Sequence, residues 1–258
     1  MNDVEYKKYI ELINEDKLDE ATDYRRAIMP QYIYKFYPLY SKTGRGKTDR
    51  RTFATLRSNQ IWCSKIEFFN DPFEEIGYYY EMDRDVEIRL ASCLRISSFA
   101  ADAADNISMW AYYANCHKGF CVKYEVTDNS YLYDVSYISQ RRSQVDLWND
   151  VIYKTSKGQS TQKEQLLIYE KYLTKHMSWS NEKEYRIILA TNTKEPYGKL
   201  VKCESVGLEP VKIYAGLHCT KENIKKLNSI SRSLKCGDIA RCTISGSEFI
   251  LFDEQVSK

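Results

Sequence analysis

An α+β fold, with a mixed, largely antiparallel central sheet flanked by helices, is what this sequence predicts. Three observations carry the expectation. Strand-like and helix-like segments intermingle without strict βαβ alternation, which disfavours a doubly wound parallel sheet. The C-terminal half is rich in short apolar and β-branched runs, as at residues 185–190 (YRIILA) and 211–215. No G-x-G-x-x-G or P-loop motif is present; the nearest phrase, TGRGK at residues 43–47, lacks the P-loop spacing.

Taken in order, residues 3–28 are charged but carry Tyr6, Tyr9, Ile10 and Ile13 at helical spacing. Pro30 closes that helical reading, giving an N-terminal helical segment over 1–30 and a main body over 31–258 within one domain. QYIYKFY, residues 31–37, is aromatic and β-branched and reads as a strand. A basic loop, SKTGRGK at 41–47, precedes a helix over 48–58 bearing Phe53 and Leu56. A short strand follows at 61–64, then FNDPFEE at 69–75, whose Asn-Asp-Pro is turn chemistry between aromatic anchors. Residues 76–82 are tyrosine-rich and fit strand or helix.

Strands are expected at 92–99, 119–126 and 132–138, and a helix over 107–117 with Met109, Trp110, Tyr113 and Ala114 inward. In this reading Gly119 ends that helix and His117 sits at its C-terminus, where a cation is favoured. A longer helix is expected over 160–177, a central strand at 185–190, and further strands at 199–204, 211–215 and 239–243. Thr220 caps an amphipathic helix over 220–234.

Composition excludes several function classes. Over 258 residues, 38 Lys+Arg against 36 Asp+Glu leave a net charge of +2, which argues against a general polyanion binder. No run approaches the roughly 18 apolar residues of a membrane-spanning helix. The acidic, mixed N-terminus is not a secretory signal, and none of the 8 cysteines forms C-x-x-C, so reduced thiols in a cytoplasmic protein and no metal are expected. Cys116 beside His117 is the one weighed as a nucleophile, although catalytic partners usually meet in space rather than in sequence. There are 22 Tyr against 9 Phe, an excess of flat faces with polar tips suited to pockets and interfaces.

Four clusters stand out: Tyr34-Lys35-Phe36; Phe69-Asn70-Asp71-Pro72-Phe73-Glu74; Met109 through Gly119 (MWAYYANCHKG); and Trp179 through Arg186 (WSNEKEYR). In that order and spacing, across residues 33–190, they resemble the bacterial family known as domain of unknown function 2971. The layout more distantly resembles ADP-ribosyltransferases. That resemblance implies an early strand with a polar residue for NAD, a middle strand with Ser and nearby aromatics, and a late Glu-x-Glu. Lys35 stands where those enzymes use His or Arg. Ser97 and Ser98 lie on the middle strand, Trp110 and Tyr113 follow, and Glu182-Lys183-Glu184 supplies the Glu-x-Glu.

The resemblance implies NAD as substrate, with Glu184 as the main catalytic carboxylate and Glu182 as its partner. Cleaving the nicotinamide–ribose bond develops positive charge on the sugar, which a fixed carboxylate stabilises. On a strand, Glu182, Glu184 and Arg186 would share one face, and Arg186 could fork to Glu184. Tyr34, Lys35, Ser97, Trp110, Tyr113, His117 and Arg186 are the expected cofactor-binding residues, with the basic 41–47 loop available to the diphosphate. Asn70 and Asp71 are expected at the substrate.

Each feature also has a structural reading. EKEYR fits a salt-bridged strand edge, FNDPFE a turn in which Asp71 caps amides and Phe69 and Phe73 pin the loop, and Trp110 and Tyr113 a core stripe. Two functional alternatives stand beside the transferase: an RNA-directed nuclease-type effector using His117, Lys35 and Glu184, and a non-catalytic module binding a nucleotide or partner. The transferase reading extends to a bacterial toxin or anti-phage effector acting on an unidentified protein or nucleic-acid acceptor. A homo-oligomer or an antitoxin-like partner would accompany it, with no membrane involvement.

Overall fold

The computed structural model describes residues 1–75, 88, 91–139, 151, 153–154, 157–159, 161–191, 195–244 and 246. The tyrosine-rich stretch at 76–82 lies outside them. The architecture is α+β: one large, mostly antiparallel sheet, a two-stranded parallel ribbon, and helices on both sides.

Two N-terminal helices, α1 (Asp3–Asn14) and α2 (Leu18–Ala27), open the chain. Asn2 and Glu5 form a capping box at the start of α1, satisfying amides that the first turn leaves open. The inward stripe Tyr9, Ile10 and Ile13, with Ala21 of α2, is buried against Leu94, Ile96, Leu166, Leu167 and Ile188 of the main body. The 1–30 segment is therefore packed onto the sheet.

β1 (Tyr32–Tyr37) is followed by α3 (Lys47–Arg57), β2 (Gln60–Ser64) and the short α4 (Pro72–Glu75). Next come β3 (Leu94–Ala100), α5 (Ile107–Tyr113), β4 (Phe120–Val126), β5 (Leu132–Asp134) and β6 (Ser136–Ile138). α6 (Gln162–Lys171) leads to β7 (Thr174–His176), a 3₁₀ turn at Met177–Glu182, and β8 (Glu184–Ala190). The chain ends with β9 (Gly198–Lys202), β10 (Leu208–Ala215), α7 (Lys221–Ser233) and β11 (Ala240–Arg241).

The strand order is β11-β10-β4-β1-β3-β2-β9, with β8 paired to β3 and β5 to β8. β3 holds β8 along seven register pairs, from Leu94↔Ala190 to Ala100↔Glu184. Its other edge is forked. There it meets β1 only at Tyr34↔Ala100 and β2 only at Ser64↔Ile96. Backbone polar groups in a buried fork need partners from elsewhere. The Lys35 ammonium enters it and donates to the Ser98 carbonyl and the Ser97 hydroxyl, each at 2.9 Å.

Several boundaries differ from expectation. The helix expected to reach 177 stops at Lys171; the Thr174 hydroxyl donates to the Glu170 carbonyl, and residues 174–176 pair in parallel with 136–138. The helix expected to reach 117 stops at Tyr113, and Asn115, Cys116 and His117 take left-handed φ values of 48°, 52° and 63°. Gly119 does not serve as a helix cap. It lets β4 pass against β1, since a Cβ there would lie 2.0 Å from the Tyr37 carbonyl oxygen. No described helix is long and apolar enough to cross a membrane.

Candidate active site

Three of the four sequence clusters begin or end beside the fork in β3, and the fourth, the turn before α4, packs across its mouth. A cavity of about 250 Å³ lies there. Tyr34, Lys35 and Phe36 line it from β1, Ser98, Phe99 and Ala100 from β3, and Met109 and Tyr113 from α5. Phe68, Phe69 and Asn70 close one side, and Lys175, Glu182 and Glu184 another.

The FNDPFE turn explains itself residue by residue. The Asp71 carboxylate accepts the Phe73 amide at 2.9 Å and caps α4. That turn of helix points Glu74 inward, where it is 3% exposed and ion-paired with Arg186. Asn70 donates to the Tyr113 hydroxyl at 2.7 Å, and Phe69 lies under the Arg186 guanidinium at 5.2 Å. Phe73, expected to pin the turn, is 57% exposed instead.

Glu182 and Glu184 both reach the cavity, but not by strand alternation. Glu182 closes the 3₁₀ turn, and Lys183 adopts a left-handed conformation (φ 44°) that swings the chain into β8 at Glu184. The β8 strand is internal, between β3 and β5, so EKEYR is not an exposed strand edge. The Tyr137 hydroxyl accepts the Glu184 amide at 2.8 Å.

Around these carboxylates lies a buried charge cluster. Arg186 Nε donates to Glu184 Oε1 at 2.8 Å and Nη2 to Oε2 at 3.0 Å, and the same guanidinium reaches Glu74 and the Tyr172 carbonyl. Lys175 Nζ stands 2.6 Å from Glu182 Oε2, 3.0 Å from Glu184 Oε2 and 3.7 Å from Glu74 Oε1. The Tyr113 hydroxyl donates to Glu182 Oε1. Three carboxylates thus share two cations, and Lys35 lines the same cavity from β1.

The electrostatics follow from this arrangement. Burial alone would raise the Glu184 pKa, but Arg186 and Lys175, helped by hydrogen bonds from Arg186 and Ser98, hold it at about 2. Glu74 is pushed up, because burial outweighs Arg186. Burial opposes the Lys175 charge, yet Glu184 and Glu74 raise its pKa. For Lys35 burial outweighs the raising influence of Cys63 and Glu184 and pushes its pKa down to about 8. Burial, and then donation to Glu182, raises the Tyr113 hydroxyl.

Other expected site residues stand apart. Ser97 is not in the lining; its hydroxyl holds Lys35, while Ser98 faces the cavity. Asp71 and Arg186 are also outside the lining and act on it through Phe73 and Glu184. Trp110 is fully buried, donates to the Ala103 carbonyl at 2.8 Å and meets Phe36 edge-on at 5.1 Å. His117 stacks on the far side of Trp110, 6.2 Å between centroids, and burial followed by His218 lowers its pKa, against the expectation of a favoured cation. The 41–47 loop is pinned to α7 by Asn223 and Lys226 and contributes no residue to the lining. Cys116 is exposed.

Glu74 and Lys175 were missed by sequence reasoning. Glu74 sat inside a motif read as a turn, and Lys175 inside an overlong helix. Among the described residues no group of three or more His, Cys, Asp or Glu could hold a metal ion.

A family model described as "Protein of unknown function (DUF2971)" matches residues 109–187, less than a third of the chain. The match spans α5 through β8, including Tyr113, Lys175, Glu182, Glu184 and Arg186. It supports the family resemblance read from the motifs. No curated protein and no solved structure matches the chain.

Proposed function

We propose that the cavity is a nucleotide-processing site of ADP-ribosyltransferase type, acting on the nicotinamide–ribose bond of NAD. One observation carries the reading: Glu182 and Glu184 open onto one cavity with Tyr34, Lys35 and Tyr113. At about 250 Å³ the space is smaller than drug-sized pockets of roughly 300–1,000 Å³. It suits the reacting nicotinamide–ribose half, leaving the diphosphate and adenosine at the mouth.

In this reading Glu184 is a fixed negative charge, not a base, since its pKa lies far below neutrality. As the C1′–nitrogen bond breaks, the electron pair leaves with nicotinamide and the ribosyl carbon becomes cationic. A preorganised carboxylate stabilises that charge without reorganising. Arg186 and Ser98 fix the orientation of Glu184. The acceptor nucleophile then attacks C1′ and gives up its proton, with Glu182 the adjacent carboxylate. Tyr34 and Tyr113 offer ring faces to nicotinamide. A toxin or anti-phage role is an extension of this same proposal.

A second reading, the non-catalytic binding module, has its own support. Lys175 and Arg186 already occupy the carboxylate oxygens, as in a structural network built to shape a pocket. The nuclease reading has less, because His117 lies behind Trp110 and away from Lys35 and Glu184.

The test is incubation of the purified protein with NAD and lysate, following released nicotinamide and transferred ADP-ribose. Wild type should release nicotinamide and Glu184→Gln should not. A nucleotide-dependent thermal shift without turnover would favour the binding module instead.

A further inference from the structure

A second, larger cavity of about 650 Å³ lies at the opposite end of the β3–β8 pair, between α6, β5 and β9. Its volume falls within the roughly 300–1,000 Å³ range of small-molecule sites. The charge of its wall is one-sided. Arg95, Lys199 and Lys202 line it, and none of the described lining residues is acidic. Lys202, three residues beyond Lys199 on β9, faces the other side of the strand and donates to the Ser58 carbonyl at 3.0 Å, so Lys199 is the cation of β9 that serves the cavity. Arg95 is 1% exposed and is fixed by the carbonyls of Ser92, Leu94 and Glu195.

The remaining wall is aromatic and amide. Tyr131 is 42% exposed, and Tyr169 is set edge-on against Tyr133 at 5.4 Å. Gln162 and Gln165 project from the first turn of α6. The Thr161–Glu164 capping box already satisfies amides at that helix start, so an anion must be held by side chains.

We infer that this cavity binds a nucleoside phosphate. Lys199 meets the phosphate, Tyr131 and Tyr169 flank the base, and the glutamine amides pair with its edge, since an amide both donates and accepts. Aromatic faces stack bases of any identity, whereas the amides select among them. The site is independent of the reading given to the first cavity and stands or falls separately.

Isothermal titration with AMP, wild type against Lys199→Glu and against Tyr131→Ala, tests it. Both substituted residues lie at the surface, so the fold should tolerate the changes. Wild type should bind AMP, the charge reversal should weaken binding at least tenfold, and Tyr131→Ala should weaken it severalfold. No binding to wild type, or AMP affinity unchanged in both variants, overturns the assignment; the latter result would move the nucleotide to the first cavity.

Discussion

Arg186 grips both carboxylate oxygens of Glu184 across one residue of β8, at 2.8 and 3.0 Å, with both side chains buried. The pair is planar fork against planar acceptor, the strongest geometry a guanidinium offers. The same Nη2 also reaches Glu74 and ties β8 to α4. Glu184 thus owes its orientation chiefly to Arg186, and its charge state to Arg186 together with Lys175.

Removing that cation should be costly. Arg186→Met would leave Glu184 and Glu74 buried with Lys175 alone to neutralise them. Losing one partner of a buried ion pair costs about 3–5 kcal/mol. Equilibrium urea unfolding should show a loss of that order, and Arg186→Lys should recover little of it, because a point charge cannot fork.

Acid should act on the same pair. The Glu184 pKa is lowered to about 2, so its stabilising contribution is fully present above the ordinary carboxylate range and is lost as pH falls toward 2. Glu184→Gln should show a shallower fall in Tm than wild type between pH 4 and pH 2, read by circular dichroism. An identical fall would mean the pair contributes nothing to the acid transition.

Glu170 predicts the opposite slope. Burial, then Asp134, raises its pKa to about 8, while Arg25, the Tyr6 hydroxyl and the N-terminal amine oppose the shift. The folded state therefore holds a proton that the unfolded chain releases, and stability falls as pH rises from about 4.5 toward 8. Glu170→Gln should raise Tm at pH 8 and leave it nearly unchanged at pH 4.

Under the proposed function, Lys35 should set a pH limit on ligand binding. Its pKa, lowered by burial to about 8, means that its charge disappears as pH rises through that value. If it meets an anionic part of the ligand, NAD affinity should weaken between pH 7 and pH 9 in wild type. In Lys35→Met the affinity should be lower throughout and flat over that range.

Trp110 should behave as core. Truncation to Ala should cost about 3–5 kcal/mol, as large aromatic deletions do. Trp110→Phe, which keeps the packing on Phe36 and loses the bond to the Ala103 carbonyl, should be milder. It should also leave KM for NAD unchanged, since the indole does not line the cavity.

Much of this was legible in the sequence, and the reasons are local. β1, β4 and β8 carry β-branched and aromatic runs that outweigh helical readings. The Arg186–Glu184 fork followed from two residues of one strand sharing a face. That Tyr34, Asn70, Tyr113 and Glu184 line one cavity was not legible, since each comes from a different motif and no spacing relates them. What was not legible is non-local. Leu166 through Leu173 keep an apolar rhythm past Lys171, so nothing in the pattern marked where α6 stops. Lys175 then lay hidden inside a presumed helix, and its carboxylate partners come from α4, from the turn before β8 and from the start of β8. The larger cavity draws on residues from Arg95 to Val206 that share no motif, so no spacing could reveal it.

The fork in β3 has a mechanical consequence. With one backbone pair to β1 and one to β2, the nine strands are three leaves stitched at two points rather than a continuous plate. A lysine tail is the rivet at that seam. The neighbouring hollow is lined by two of these leaves, β1 on one and β3 with β8 on the other, so any occupant would bridge them.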